Sequence, residues 1–437
     1  MGASVRSSVT DARSVLSPIA ARLRVIEVDF RLLGMLGALL IIWIGFDIIS
    51  GGTFLTARNL WNLSVQSASI AIMATGMVLI IVSRNIDLSV GSLLGFLGYT
   101  MAMVQSVWIP QAFGFEQPWT WIVTLLIGVA LGALLGGLQG FIVAYGRVPS
   151  FIVTLGGLLV WRGLIFRYAQ GQTIAPLDTT FQMLGGGTVG TSVGALGEWP
   201  SWGLGVILCA GIGYALVTSR RRRRQYGFPV RPMWAEVLVG AVAFGSVLGV
   251  VWVANNYPLP PLIALQYAEE HGISVPPGGL FIPTGVAFPV VIMLIVTLVV
   301  TFLATRRRFG RYVYAIGGNP DAAVLAGINV RRTIMLTFAL MGSLVAISAA
   351  VQTARLNAAV TNLGVQNELD VISAAVIGGT SFSGGIGTVP GAILGAVVMQ
   401  SLRSGMVLLL VDSPTQDIVV GIVLVAAVGL DTLVRRK

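Results

Sequence analysis

Very few residues in this sequence are equipped for bond-making chemistry. There is one histidine, His271, and one cysteine, Cys209, among 437 residues, and the only lysine is the last residue, Lys437. A phosphate-binding loop of the Walker type needs a lysine directly after its final glycine, so the chain carries no such loop. His271 has no second histidine with which to form a metal cluster or catalytic dyad of the usual kind. Cys209 has no partner for an intrachain disulfide and sits in an apolar run, where it reads as a small hydrophobe. No cofactor is implied, and an enzyme is not expected.

The acids are also sparse. Asp47, Glu236, Asp370, Asp417 and Asp431 fall near the ends of apolar runs, where a carboxylate reaches water. Asp87 lies between two such runs, three residues from Arg84. A local ion pair is one reading of it, and a functional acid inside a membrane the other. The sharpest local pattern is GGNPDAAVLAGINVRR, Gly317 to Arg332. Asn319 can cap a helix, Pro320 suits its first position, Asp321 complements its positive end, and Gly327 can close it. The helix between, Ala322 to Ala326, is short and apolar yet flanked by arginines. It is too brief to be stable alone, so it packs either on its own bundle or on a partner.

The elements that must position these residues are membrane helices. With 55% hydrophobic and 10% charged residues and a mean hydropathy of +0.88, the chain belongs in a bilayer. Crossing a core about 30 Å thick takes roughly 20 apolar residues as a helix. Stretches such as Val290 to Thr305 and Ile418 to Val434 are apolar on every face, which excludes the alternation of a β-barrel. The fold class is therefore all-α, a polytopic bundle with about twelve spans. They are expected near 33–50, 61–82, 88–107, 119–144, 150–168, 203–218, 235–254, 284–305, 333–353, 369–382, 388–410 and 416–434. The segment 369–382 is short and ends in Ser381 to Gly387, so it is either a full span or a broken, re-entrant helix lining a cavity.

The net charge of +10 is carried by arginine clusters between apolar runs, which points to topology and not to nucleic acid. Arg6 to Arg31, Arg220 to Arg231, Arg306 to Arg332 and Arg435 to Lys437 are expected on the cytoplasmic side, as are both termini. Residues 1–32 then form a cytoplasmic tail, not a cleaved signal, ahead of a single transmembrane domain over 33–437 with 306–333 as a cytoplasmic loop. Asn255 to Pro283 has no Lys or Arg and carries Glu269 and Glu270, which suits the opposite face. Gly128, Gly132, Gly136, Gly137 and Gly140 mark one helix as a groove for close packing, or else as a hinge.

Four stretches together resemble the permeases of bacterial ABC sugar importers of the ribose and xylose type. They are NIDLSVGS (Asn85–Ser92), GLQGFIVAYGRVPSFIVTLGGLLVWRGL (Gly137–Leu164), YAIGGNPDAAVLAGINVRRT (Tyr314–Thr333) and LDVISAAVIGGTSFSGGIGTVPGAILGA (Leu369–Ala396). The third is similar to the EAA loop, with Asp321, Ala322, Ala323 and Gly327 in its key positions and aspartate in place of glutamate. Gln139 departs from the asparagine common in relatives. The resemblance implies that Asn319, Pro320, Asp321, Ala322, Ala323, Leu325 and Gly327 form an ATPase-coupling helix. It also implies two permease copies in the lipid bilayer, a separate ABC ATPase subunit and a periplasmic sugar-binding protein that delivers the substrate. The inserted region from Gly203 to Val253 is more similar to xylose permeases, hence a pentose. Within that frame Asn85, Asp87, Ser89, Thr380, Ser381 and Ser383 are the expected lining of the sugar pathway. The rival reading is a secondary transporter driven by an ion gradient.

Overall fold

An uncharged run in lipid must satisfy its backbone hydrogen bonds internally, which makes it a helix. The computed structural model describes residues 30–115, 117–189, 192–230, 232–276 and 279–435. In order these form α1 (Phe30–Ile49), α2 (Ala57–Val82), α3 (Val90–Met103), a π-turn (Val104–Trp108), α4 (Ile109–Phe113), α5 (Thr120–Gly146), α6 (Ser150–Ala169) and α7 (Thr179–Met183). A two-residue antiparallel ribbon follows, β1 (Thr188–Val189) with β2 (Ser192–Val193), in which Thr188 pairs with Val193. The second half holds α8 (Glu198–Gln225), α9 (Met233–Asn255), α10 (Pro261–Glu270), α11 (Phe288–Arg306), α12 (Arg308–Gly318), α13 (Pro320–Leu325), α14 (Val330–Leu356), α15 (Asn367–Ile377), α16 (Val389–Leu408) and α17 (Ser413–Arg435).

About twelve spans are expected, with 369–382 either a full span or a broken helix. Among the described residues nine helical stretches are long and apolar enough to cross a membrane, and α3 with α4 counts as one of them. Gly34–Ile49 of α1 and Ser413–Ala426 of α17 are shorter apolar stretches. The segment expected at 369–382 is α15, with only 11 residues. At 1.5 Å per residue that is about 16 Å, roughly half of a hydrocarbon core. It is a broken helix. Gly379 ends it with a φ of 92°, a left-handed conformation that suits glycine and closes helices. The tail 1–32 and the terminal basic residues lie largely outside the described residues.

The core is built around α2, of which 94% of the spanning window is buried. It is covered by α14, α16, α11 and α15. Helices α5 and α14 approach most closely: a Cβ on Gly132 would collide with the Gly342 carbonyl and one on Gly136 with the Phe338 carbonyl. The glycine series on α5 is thus a packing groove, the first of its two readings. The α8–α9 hairpin stays peripheral, joined to α2 mainly through Val251 and Ala254 beside Trp61 and Val65. Helix α8 also continues past the expected 203–218 through all five arginines from Arg220 to Arg224, where Arg220 pairs with Glu236 of α9.

The segment 306–333 is mostly helical and not an extended loop. Residues 308–318 coil because Gly310, Val313, Ile316 and Gly317 fall on one face and are buried while the arginines stay out. The glycines of this face concealed the pattern. The segment marks one end of the bundle: Gly317 meets the Val82 carbonyl at the close of α2. The opposite end holds the start of α2, where the Trp61 indole donates to the Gly285 carbonyl at 2.9 Å.

Candidate functional site

Polar side chains inside apolar helices are costly and collect where they share water or a ligand. On α2, Asn59, Asn62 and Gln66 follow one another three and four residues apart, so they share a face. Gln352 and Arg355 do the same on α14, and Gln400, Arg403 and Ser404 on α16. These three faces meet in one cavity near the end away from α12 and α13. Its two adjoining lobes, ≈ 200 Å³ and ≈ 420 Å³, share Gln66, Arg355, Gln400 and Arg403. The short helix α15 supplies another wall: it starts inside the bundle, which places Asn367 and Asp370 at the rim of the first lobe.

The lining is largely paired. Gln400 Nε2 donates to Gln66 Oε1 at 2.8 Å, and Asn367 Nδ2 to Gln352 Oε1 at 3.3 Å. Arg403 donates from Nε and Nη2 to Asp370 Oδ1 at 3.0 and 2.9 Å and lies 3.5 Å from Asp417. Asp370, expected near a span end with access to water, is instead only 5% exposed, and the arginine makes that burial tolerable. Arg355 differs. It is exposed into the cavity, and among the described residues no side-chain partner is recorded for it. The cavity therefore offers one uncompensated guanidinium and several amides beside apolar patches from Val65, Ile70, Val351, Val365, Val407 and Leu408, a mix suited to the hydroxyls and the C–H faces of a polyol. Sequence reading overlooked this site. Its signal was the helical spacing of Asn59, Asn62 and Gln66, of Gln352 and Arg355, and of Gln400 and Arg403.

The residues expected to line a pathway lie elsewhere. Asn85, Asp87 and Ser89 form a buried cluster in the turn between α2 and α3. Asp87 Oδ1 accepts from the Ser89 amide at 2.9 Å and its hydroxyl at 2.6 Å, and Gln139 Oε1 stands 3.1 Å from the same hydroxyl. Asn85 Nδ2 donates to the Ser83 carbonyl at 2.9 Å. Arg84 makes no pair with Asp87, which corrects that reading. Its Nε and Nη2 donate to the carbonyls of Gly317 and Gly318 at 2.7 and 2.9 Å. The second group occupies the break between α15 and α16: Thr380 and Ser381 are buried, and the Ser381 and Ser383 hydroxyls are 2.7 Å apart. The two groups are brought near each other, since the Gly385 amide donates to the Val82 carbonyl at 3.0 Å. Neither touches the polar cavity.

At this same end α13 has the caps that its sequence dictates. Asn319 Oδ1 accepts from the Ala322 amide at 3.0 Å, with Pro320 first in the helix and Asp321 in its first turn. Gly327 takes a φ of 77°, while the amides of Ile328 and Gly327 donate to the carbonyls of Ala323 and Val324 at 3.0 and 2.9 Å, a Schellman closure. Ala323 is buried and anchors the helix, but Leu325 is 90% exposed and Val324 60%. The apolar face looks away from the bundle. Tyr314 on α12 donates to the Gly387 carbonyl at 2.7 Å, and burial raises its phenol above the ordinary tyrosine range, keeping it a donor.

A buried helical bundle with a polar cavity toward one end, and with outward apolar residues on a capped helix at the other, has the architecture of a polytopic integral membrane protein with room for a polar solute. The chain belongs to the family described as branched-chain amino acid transport system / permease component, whose model matches residues 59–428. It is 38% identical over 407 residues to the xylose transport system permease protein XylH of Escherichia coli (strain K12), covering 92% of each chain. With the protein of the same name from Haemophilus influenzae it shares 37% over 413 residues, 94% of this chain and 98% of that one. The ribose import permease protein RbsC of Escherichia coli (strain K12) is 32% identical over 378 residues, 86% of this chain and 87% of the relative. No solved structure matches. The chain is a multi-pass permease of the bacterial inner membrane, as its relatives are.

Proposed function

We propose that this chain is the membrane-spanning subunit of an ATP-driven monosaccharide importer and that its substrate is a pentose, D-xylose first among candidates. The observation that carries the reading is the alignment with xylose permeases over 92% of the chain. The family description names branched-chain amino acids, but the cavity argues for a sugar. An aliphatic zwitterion calls for an apolar pocket and partners for both of its charges. Here Arg355 can meet a carboxylate, but the ammonium finds no counterpart, because the carboxylate at the rim, Asp370, is already engaged by Arg403. A neutral polyol needs only the donors and acceptors present.

In this reading the polar cavity is the outer vestibule, and the two junctions with Asn85, Asp87, Ser89 and Thr380, Ser381, Ser383 close the cytoplasmic end. Two permease copies pair in the bilayer, a periplasmic binding protein delivers sugar to the open side, and an ABC ATPase grips the exposed Leu325 and Val324 of α13. Closure of the ATPases moves α13 and changes which end is open. The permease needs only weak affinity, since the binding protein performs selection. Its substrate class is checked by stimulation of ATP hydrolysis in the assembled complex. D-xylose with its binding protein should stimulate and leucine should not; the reverse order would discard the sugar reading.

A further inference from the structure

Arg84 occupies a position where glycine is usual. The amides of Asn85 and Arg84 donate to the carbonyls of Ile80 and Ile81 at 3.0 and 2.9 Å, which closes α2 in a Schellman turn with Arg84 at its left-handed residue, φ 62°. That conformation is unfavourable for a residue with a Cβ, so the side chain must supply what glycine could not. It does so on another element. Its guanidinium satisfies two carbonyls, Gly317 and Gly318, in the final turn of α12, where helical acceptors have no partner of their own and a cation is favoured. Asn319, the very next residue, caps α13.

The same few residues also hold the second break. A Cβ on Gly384 would lie 2.5 Å from Arg84 Cγ and 2.7 Å from the Gly317 carbonyl oxygen, so chain 381–387 is threaded against the arginine. The hydroxyl of Tyr314, one turn earlier on α12, reaches the Gly387 carbonyl. From the other side, Ile86 is tied to α6: its amide donates to Ser150 Oγ at 3.2 Å, and its carbonyl accepts from the Thr154 hydroxyl at 3.3 Å. The end of α12 is thus fastened to the α2–α3 turn by Arg84 and to the α15–α16 break by Tyr314.

We propose that Arg84, seconded by Tyr314, is the linkage that carries a displacement of α12 and α13 into both helix breaks at once, so that they open and close together. Both are positioning residues; neither touches substrate. The proposal rests on the reading of α13 as the ATPase contact. Arg84→Met keeps the apolar stem and removes the donors, Tyr314→Phe removes one hydroxyl, and Arg84→Lys returns a single donor.

The test reconstitutes the complete complex in vesicles and reads D-xylose transported per ATP hydrolysed, a ratio that does not depend on how much protein folds. For Arg84→Met the ratio should fall about tenfold, with a smaller fall for Tyr314→Phe and partial recovery for Arg84→Lys, in keeping with coupling residues distant from a ligand. The ATPase should still co-purify and hydrolyse ATP with every one of these variants. If Arg84→Met fails to assemble, Tyr314→Phe decides alone. Leu325→Asp separates the two hypotheses. If it loses the ATPase while Arg84→Met and Tyr314→Phe keep the wild-type ratio, the linkage is overturned and the docking reading stands. If Leu325→Asp retains the ATPase and full coupling, both fall.

Discussion

Arg355 and Arg403 face the same cavity, yet they should behave differently when removed. Arg355 has no recorded protein partner among the described residues, so Arg355→Met leaves nothing unpaired behind. A lost charge-assisted hydrogen bond to substrate is worth about 1.5–3 kcal/mol. Sugar uptake at saturating binding protein should therefore drop at least tenfold, roughly 1.4 kcal/mol per factor of ten, with Tm unchanged. Arg403 belongs to an ion pair with Asp370, whose side chains are 20% and 7% exposed. Breaking such a pair costs about 3–5 kcal/mol because the remaining charge stays buried. For Asp370→Ala the low end is expected, since Asp417 still faces Arg403. Replacing both by leucine should recover most of the loss, measured by thermal unfolding in detergent. At this scale the sequence was legible wherever a motif was local. Asn319 to Gly327 could be read in full because caps act within a few residues. Arg84 could not, since its acceptors, Gly317 and Gly318, lie more than 230 positions away.

Among the elements, α5 offers an internal control. A Cβ on Gly136 would collide with the Phe338 carbonyl, whereas one on Gly137 would meet only the Ala339 methyl at 3.5 Å, an ordinary contact. Gly136→Val should cost roughly 3 kcal/mol, the upper part of the overpacking range, because a backbone carbonyl cannot step aside as a side chain does. Gly137→Ala should be neutral or slightly stabilising through helix propensity. Equal Tm values for the two variants would contradict the packing of α5 on α14. The glycine spacing announced this contact but not its partner. Helix α12 was hidden for a related reason: two of its four buried positions are Gly310 and Gly317, which contribute close approach and no hydrophobic signal. For α15 the glycines after Ile377 foretold the break, while its start within the bundle depends on a loop that no local pattern describes.

For the whole molecule, composition alone placed the chain in a bilayer, and the order of apolar runs gave the helices. The cavity was harder to see. Its walls come from helices more than 300 residues apart, as in the contact between Gln66 and Gln400, and each wall by itself is a pair or triplet of polar residues in an apolar run. What joins them is the burial of α2 at the centre, a property of the assembled bundle. In the proposed reading, function is divided between two ends: a polar vestibule without chemistry, and a capped helix whose exposed Leu325 offers an apolar hold to an energy-supplying partner. That division is what an ATP-driven permease requires and an ion-coupled carrier does not. The most direct measurement is D-xylose uptake into vesicles holding this permease with its ATPase and binding protein, with and without ionophores that collapse proton and sodium gradients. Uptake should require ATP and survive the ionophores. Uptake that continues without the ATPase and vanishes with the gradients would contradict the account.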